Sequence, residues 1–268
     1  MLKTRILLAL ISVLLIGGLF FLPKVVVDGG EQASTRGGNV IESPTSHEKV
    51  DAALLGSIAS YRQQYAAESA IEKNTIFADS LSVLYSHAGR FDSAAWFAEQ
   101  RATFSKTLES YQRAGEMYYQ AFSFAMDDQK RSGLAEKCRL WFTKVQELEP
   151  NDLNARTKMA MTFLATGTPM QGIMMLREVL AINPKYEPAL LNMGMLSMQS
   201  GQYDRAIERL QDLLKVNPEH EQGRLLLGAA YMNKGDKVRA RELFEQVIQT
   251  GTDPSVKAMA EEYLKELN

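Results

Sequence analysis

The sequence predicts an all-α chain arranged as an α-solenoid behind an N-terminal transmembrane helix. Three observations carry that expectation. Glycine and proline recur at a fixed interval of 34 residues through the C-terminal half. Beyond Val50, helix-forming Ala, Leu, Met, Glu, Gln, Lys and Arg dominate, and no alternating apolar–polar strand pattern occurs. A charge-free apolar run occupies residues 6–22.

The apolar run follows a short basic N-terminus, residues 1–5, with Lys3 and Arg5. At about 1.5 Å per residue it spans about 25 Å, against a hydrocarbon core of about 30 Å. Arg5 and Lys24 are long enough to reach the two interfaces. A cleaved signal has a shorter apolar region and a small-x-small site. This run instead ends in "FFLPKVVV". A retained signal-anchor through residues 6–22 is therefore expected, with cleavage as the alternative. The basic residues ahead of the run tilt its N-terminus toward the cytoplasm. The expected location is a bacterial inner membrane, single-pass, with the folded part in the periplasm. Cleavage would instead release that part into the periplasm. Residues 23–49, rich in Gly, Ser and Thr, read as a flexible linker.

The periodic region begins after residues 50–74, which are expected to supply covering helices for the N-terminal end. Pro150, Pro184 and Pro218 are 34 residues apart, as are Gly167, Gly201 and Gly235. Gly194 and Ala206 recur at the same interval as Gly228 and Ala240. Each position has a physical reason. Two short helices cross closely only where side chains are small, as at Gly228 and Ala240, and Tyr231 and Phe244 fill the space beside the crossing. Gly235 suits the tight turn between the helices. The prolines stop one unit before the next begins.

A 34-residue unit of two helices resembles the tetratricopeptide-repeat family. The resemblance implies a right-handed superhelix of about five units over residues 75–254. They divide as 75–108, a divergent 109–152, 153–186, 187–220 and 221–254. In the first, Leu81, Tyr85, Gly89, Phe91 and Ala94 keep the pattern. In the divergent unit, Gly115 and Tyr118 match the first helix, and Cys138 and Phe142 the second. The Gly115–Cys138 separation is 11 residues longer than in the regular units, which predicts extended helices or a longer turn at "DDQKRSG". Residues 255–268 are expected to form a capping helix, with Asp253 as N-cap and Pro254 in its first turn.

The family also implies that first helices line a concave groove. Carried onto this sequence, the groove positions are Thr157, Met161, Leu164 and Ala165, then Leu191, Met195, Met198 and Gln199, then Leu225, Ala229, Met232 and Asn233. No lysine or arginine stands at these positions, so capture of a terminal carboxylate there is not expected. Nine of the 13 methionines fall between Met159 and Met232, and methionine adapts to varied apolar surfaces. The groove is thus expected to hold an apolar or amphipathic segment of another protein, unless these methionines serve packing.

The predicted role is a membrane-tethered scaffold or adaptor in assembly of an envelope complex. A holdase-like chaperone and a self-assembly module are the alternatives. The net charge of −2 gives no basic field for nucleic acid. No phosphate-cradling loop, zinc-protease spacing or nucleophile elbow occurs. No catalytic activity, cofactor, metal or small-molecule substrate is therefore expected. Cys138, at a helix crossing, reads as a buried small group, and Trp96 and Trp141 read as packing. The cluster Tyr118, Tyr119, Phe122 and Phe124 is compatible with either core or an exposed anchor.

Overall fold

The computed structural model describes residues 51–267. They form twelve helices, with no strand among the described residues. None of these helices is long and apolar enough to cross a membrane. The expectations for residues 1–50, including the span at 6–22 and the linker at 23–49, lie outside the described residues.

Helix α1, Ala52–Ala67, is unpaired and packs on the helix that follows it. Five antiparallel pairs follow: α2 Ile71–His87 with α3 Phe91–Ser105, and α4 Leu108–Phe124 with α5 Asp128–Leu148. Next come α6 Leu153–Ala165 with α7 Pro169–Ile182, α8 Glu187–Gln199 with α9 Tyr203–Val216, and α10 Glu221–Lys234 with α11 Lys237–Thr250. Helix α12, Pro254–Leu267, ends the array. Each helix packs mainly on its neighbours in sequence, and α4 also touches α6, α8 touches α10, and α10 touches α12. Such nearest-neighbour packing makes the fold solenoid-like.

Local chemistry sets the helix ends. The carboxylates of Asp127, Asp152 and Asp236 accept backbone N–H bonds from Lys130, Ala155 and Arg239 at 2.7, 2.8 and 3.1 Å. Thr107 and Ser110 cap each other reciprocally at the start of α4. These bonds satisfy donors that the first turn of a helix leaves free. Helix α12 opens with Pro254, and Asp253 accepts from the Ser255 N–H at 2.8 Å. The turns inside four pairs contain Gly89, Gly167, Gly201 and Gly235, all with φ between 67° and 90°, a region that side chains with a Cβ avoid.

Between paired helices, small residues meet large ones. A Cβ on Gly228 would lie 2.5 Å from Phe244, one on Gly194 2.9 Å from Leu210, and one on Gly115 2.7 Å from Phe142. Ala206, Ala240 and Cys138 are fully buried on the opposing helices. In the α6–α7 pair the roles are exchanged. Ala160 occupies the first helix and Gly172 the second, where a Cβ would lie 2.5 Å from the Ala160 carbonyl oxygen.

The divergent unit takes up its extra residues in longer helices. Helices α4 and α5 have 17 and 21 residues where α6 and α7 have 13 and 14. The "DDQKRSG" stretch therefore belongs to the start of α5, with Asp127 as its cap. Helix α2 starts at Ile71, ahead of the expected unit start at 75. The Asn74 amide donates to the Glu68 carbonyl, and the Glu68 carboxylate accepts the Ala70 N–H, which begins the helix a turn early.

Three apolar clusters fill the interior. The first, from α1 to α6, includes Leu81, Phe97, Tyr118, Trp141 and Phe142. The last, from α8 to α12, includes Leu210, Leu225, Tyr231 and Phe244. Between them lies a small cluster of Ala160, Leu176, Val179 and Ala189. Helices α7 and α8 are the most loosely joined of all consecutive pairs.

At the C-terminal end, Glu221 ties α10 to the α11–α12 loop. Its carboxylate accepts the Thr252 N–H at 2.6 Å, the Thr252 hydroxyl at 2.8 Å and the Asp253 N–H at 3.0 Å. These bonds, the backbone ones foremost, hold its pKa below the ordinary 4.5.

Two outcomes follow for stability. Gly228→Ala is expected to cost about 1–3 kcal/mol in denaturant unfolding, because its methyl group meets Phe244. Gly133→Ala, in α5 with open space around it, should instead gain about 0.5–1 kcal/mol. For Glu221 the folded pKa is depressed, so its contribution is present above the unfolded value and is lost as pH falls through the folded one. The difference in Tm between wild type and Glu221→Gln should be largest near neutral pH and should close on acidification below the ordinary carboxyl range.

Candidate functional site

The residues expected to line a groove fall on α6, α8 and α10, the first helices of three successive pairs. Met161, Leu164, Leu191, Met195, Met198 and Met232 are half-buried, and Ala165, Gln199 and Asn233 are exposed. Leu191, Met198 and Met232 pack against the C-terminal cluster, and Leu164 packs against the small middle one. Leu164, Leu191, Met198 and Met232 therefore both support the core and present part of their surface to solvent, and the half-buried Met161 and Met195 present part of theirs.

The line is not open throughout. Leu225 is 2% exposed, and Thr157 and Ala229 are also buried, so none of the three presents a surface to a partner. At α10, Leu225 and Ala229 belong to the apolar cluster that α12 joins through Ala260 and Leu267. Val256 and Met259 of α12 face Leu225 and Leu226 across a space of about 430 Å³. Sequence periodicity places Leu225 on the first-helix line but does not show that it joins a cluster shared with α12.

Residues of the divergent unit divide between core and surface. Tyr118, Phe122 and Trp141 are buried and Tyr119 is half-buried, whereas Phe124 is exposed and stacks on Phe91 with ring centroids 4.4 Å apart. The Tyr118 hydroxyl donates to the Glu99 carboxylate, and burial together with that bond pushes its pKa upward. Cys138 is fully buried between α4 and α5, and burial, aided by Glu116, raises its thiol pKa. That environment disfavours the thiolate a reactive cysteine needs. Trp96 departs from the expectation of packing. It is 47% exposed and meets Tyr65 and Phe97 edge-on, because its helix turns this position toward α1 and solvent. His220 caps α10, its Nδ1 accepting the Gly223 N–H at 3.1 Å. Among the described residues, no group of three His, Cys, Asp or Glu side chains is placed to hold a metal ion.

One surface cleft was not anticipated. Solvent-open and about 970 Å³ in volume, it lies between α7, α8 and α9. Leu164 and Gln199 are its only members from the expected groove. Its remaining lining comes from α7 and α9, the second helices of their pairs, from Met193, Leu196 and Ser197 of α8, and from Ser200 and Gln202 in the α8–α9 turn.

With five helix pairs and their small-residue crossings in place, the relationship to known proteins is direct. A tetratricopeptide-repeat family profile matches residues 163–223 and 197–262. The matched segment, residues 163–262, is less than half of the chain. Solved tetratricopeptide-repeat structures share the fold beyond that segment. One from Parabacteroides merdae is 16% identical, with 80% of this chain and 82% of that one covered and a TM-score of 0.60. A thermophilic tetratricopeptide-repeat protein from Thermus thermophilus is 17% identical, covers 71% and 99%, and has a TM-score of 0.54. MamA from Desulfovibrio magneticus is 20% identical, covers 67% and 96%, and has a TM-score of 0.51. At these identities the likeness is one of fold. No curated protein sequence matches the chain.

Proposed function

We propose that the chain is a protein-interaction scaffold whose repeats hold an apolar or amphipathic segment of another polypeptide. One observation carries the reading. The first helices α6, α8 and α10 present half-exposed Met161, Met195, Met198 and Met232, with Leu191 among them. Thioether side chains of this kind repack around apolar partners of differing shape, and a row of parallel helices offers a trough for an incoming helix or strand. Tetratricopeptide repeats are a general platform for such binding. In the finer form of the proposal, residues 6–22 tether the array to a bacterial inner membrane. Residues 23–49 then act as the leash, and the repeats assemble an envelope complex on the periplasmic side. The charge-free run and its flanking Lys3 and Arg5 support that part.

The test separates packing from binding. A photo-crosslinking residue at position 161, on the full-length chain in its own membrane, is expected to give one or two discrete adducts. The double variant Met195→Glu with Met198→Glu, carrying the same crosslinker at position 161, should lose them while melting within about 1–2 kcal/mol of wild type. Loss of the folded state in that variant would assign both methionines to the core. A smear of many weak adducts would favour general shielding of unfolded clients over a scaffold.

A further inference from the structure

Position 11 of the repeat meets the preceding pair at Tyr118, Phe163 and Tyr231. With the divergent unit aligned on Gly115, this position is aromatic in four of the five units: Tyr85, Tyr118, Phe163 and Tyr231. Phe163 lies under the Arg139 guanidinium of α5, 4.7 Å from the ring centroid. Tyr231 is buried, and its hydroxyl accepts a hydrogen bond from Gln211 of α9 at 3.0 Å. In α8 the same position is Ser197, whose hydroxyl turns back to the Met193 carbonyl at 2.9 Å. A hydroxymethyl group cannot fill the volume of a phenol ring, and α7 and α8 are correspondingly the loosest junction in the array. The cleft of about 970 Å³ opens there, with Ser197 in its wall.

Its chemistry has two parts. Ile173, Leu180, Met193 and Leu196 supply an apolar floor, and Met170, 62% exposed, stands beside them. Arg177 of α7 and Arg205 and Arg209 of α9 also line the cleft, with Glu208 as the one carboxylate. Arg205 donates to the neutral Gln202 side chain. Arg177 and Arg209 have no ion-pair partner among the described residues. A local excess of positive charge thus sits on a chain whose net charge is −2. Gathered cations repel one another, and incoming carboxylates remove that repulsion while accepting bonds from guanidinium forks.

We propose that this cleft is a second binding site, on the α7–α9 side of the array, for an acidic amphipathic helix of another protein. Apolar side chains of that helix fill the gap left at Ser197, and its carboxylates pair with Arg177, Arg205 and Arg209. The volume is near the upper end of the range for enclosed ligand pockets, about 300–1,000 Å³. A solvent-open cleft walled by three helices suits a helical ligand better than a small one. A helix seats between helices by the same ridge-and-groove packing that builds the array.

The test uses the full-length chain and a fluorescent designed peptide with leucines on one helical face and glutamates on the other. A second peptide replaces every glutamate with lysine. Anisotropy titration should show saturable binding of the acidic peptide and binding weaker by about tenfold or more for the basic one. Arg177→Glu with Arg209→Glu should weaken the acidic peptide by about tenfold or more. Ser197→Tyr, which restores the ring present at Tyr231, should do likewise with Tm unchanged or raised. If Ser197→Tyr lowers Tm, the arginine pair decides the matter alone. Met195→Glu with Met198→Glu should leave this binding within about twofold, because neither residue lines the cleft. Absence of saturable binding, equal binding of the two peptides, or a loss confined to the methionine variant would overturn the proposal. The last result would move the peptide to the first-helix face and leave the scaffold reading intact.

Discussion

Phe244 lies across Gly228 so closely that a single added methyl group would stand 2.5 Å from its ring. The same relation joins Gly194 to Leu210 and Gly115 to Phe142, while Gly172 meets the backbone of Ala160. These contacts fix how near two helices of a pair approach, and hence where every other side chain of the pair points. When the approach is repeated, each pair presents the same outer faces to its neighbours, and the pairs stack. Even the divergent unit keeps the relation. Its helices are longer by about one and two turns, yet Gly115 and Phe142 still meet between them. Helix length is free to vary because the crossing, and not the ends, holds the pair together.

Between pairs the constraint is looser, and this is where function has room. An aromatic ring at position 11 closes most junctions. Where Ser197 replaces it, the apolar interior thins to the small cluster around Leu176 and Val179, and surface that would otherwise be packed is opened to solvent. Methionines border this region on both sides of the array: Met195 and Met198 on the first-helix side, Met170 and Met193 at the cleft. A solenoid gives such surfaces little shelter, since each unit is covered only by its neighbours. Adaptable side chains are a reasonable solution there, because they lose little when unoccupied and repack when a partner arrives.

Much of this was legible in the sequence, for physical reasons. Close crossings demand small residues at fixed spacing, so Gly194, Gly228, Ala206 and Ala240 identify the helix pairs before any coordinates exist. The turn glycines, Gly167, Gly201 and Gly235, announce themselves because few other residues accept their φ angles. Less legible were features set by contacts between distant units. Leu225 belongs to the first-helix line by position, yet it is buried in the cluster shared with α12. Trp96 sits on a second helix as expected, but its ring is half in solvent against Tyr65. The cleft had a readable signal, a serine in an otherwise aromatic column, which gains meaning only once position 11 is known to seal a junction.

A double-mutant cycle on Gly228→Ala and Phe244→Leu tests the crossing most directly. If contact between this glycine and this ring sets the approach of α10 and α11, the smaller leucine makes room for the added methyl group. The two changes should then be non-additive by about 1 kcal/mol or more, with the double variant more stable than the sum of the singles implies. Additivity within about 0.3–0.5 kcal/mol would show that the two residues do not constrain each other and that something else spaces the helices.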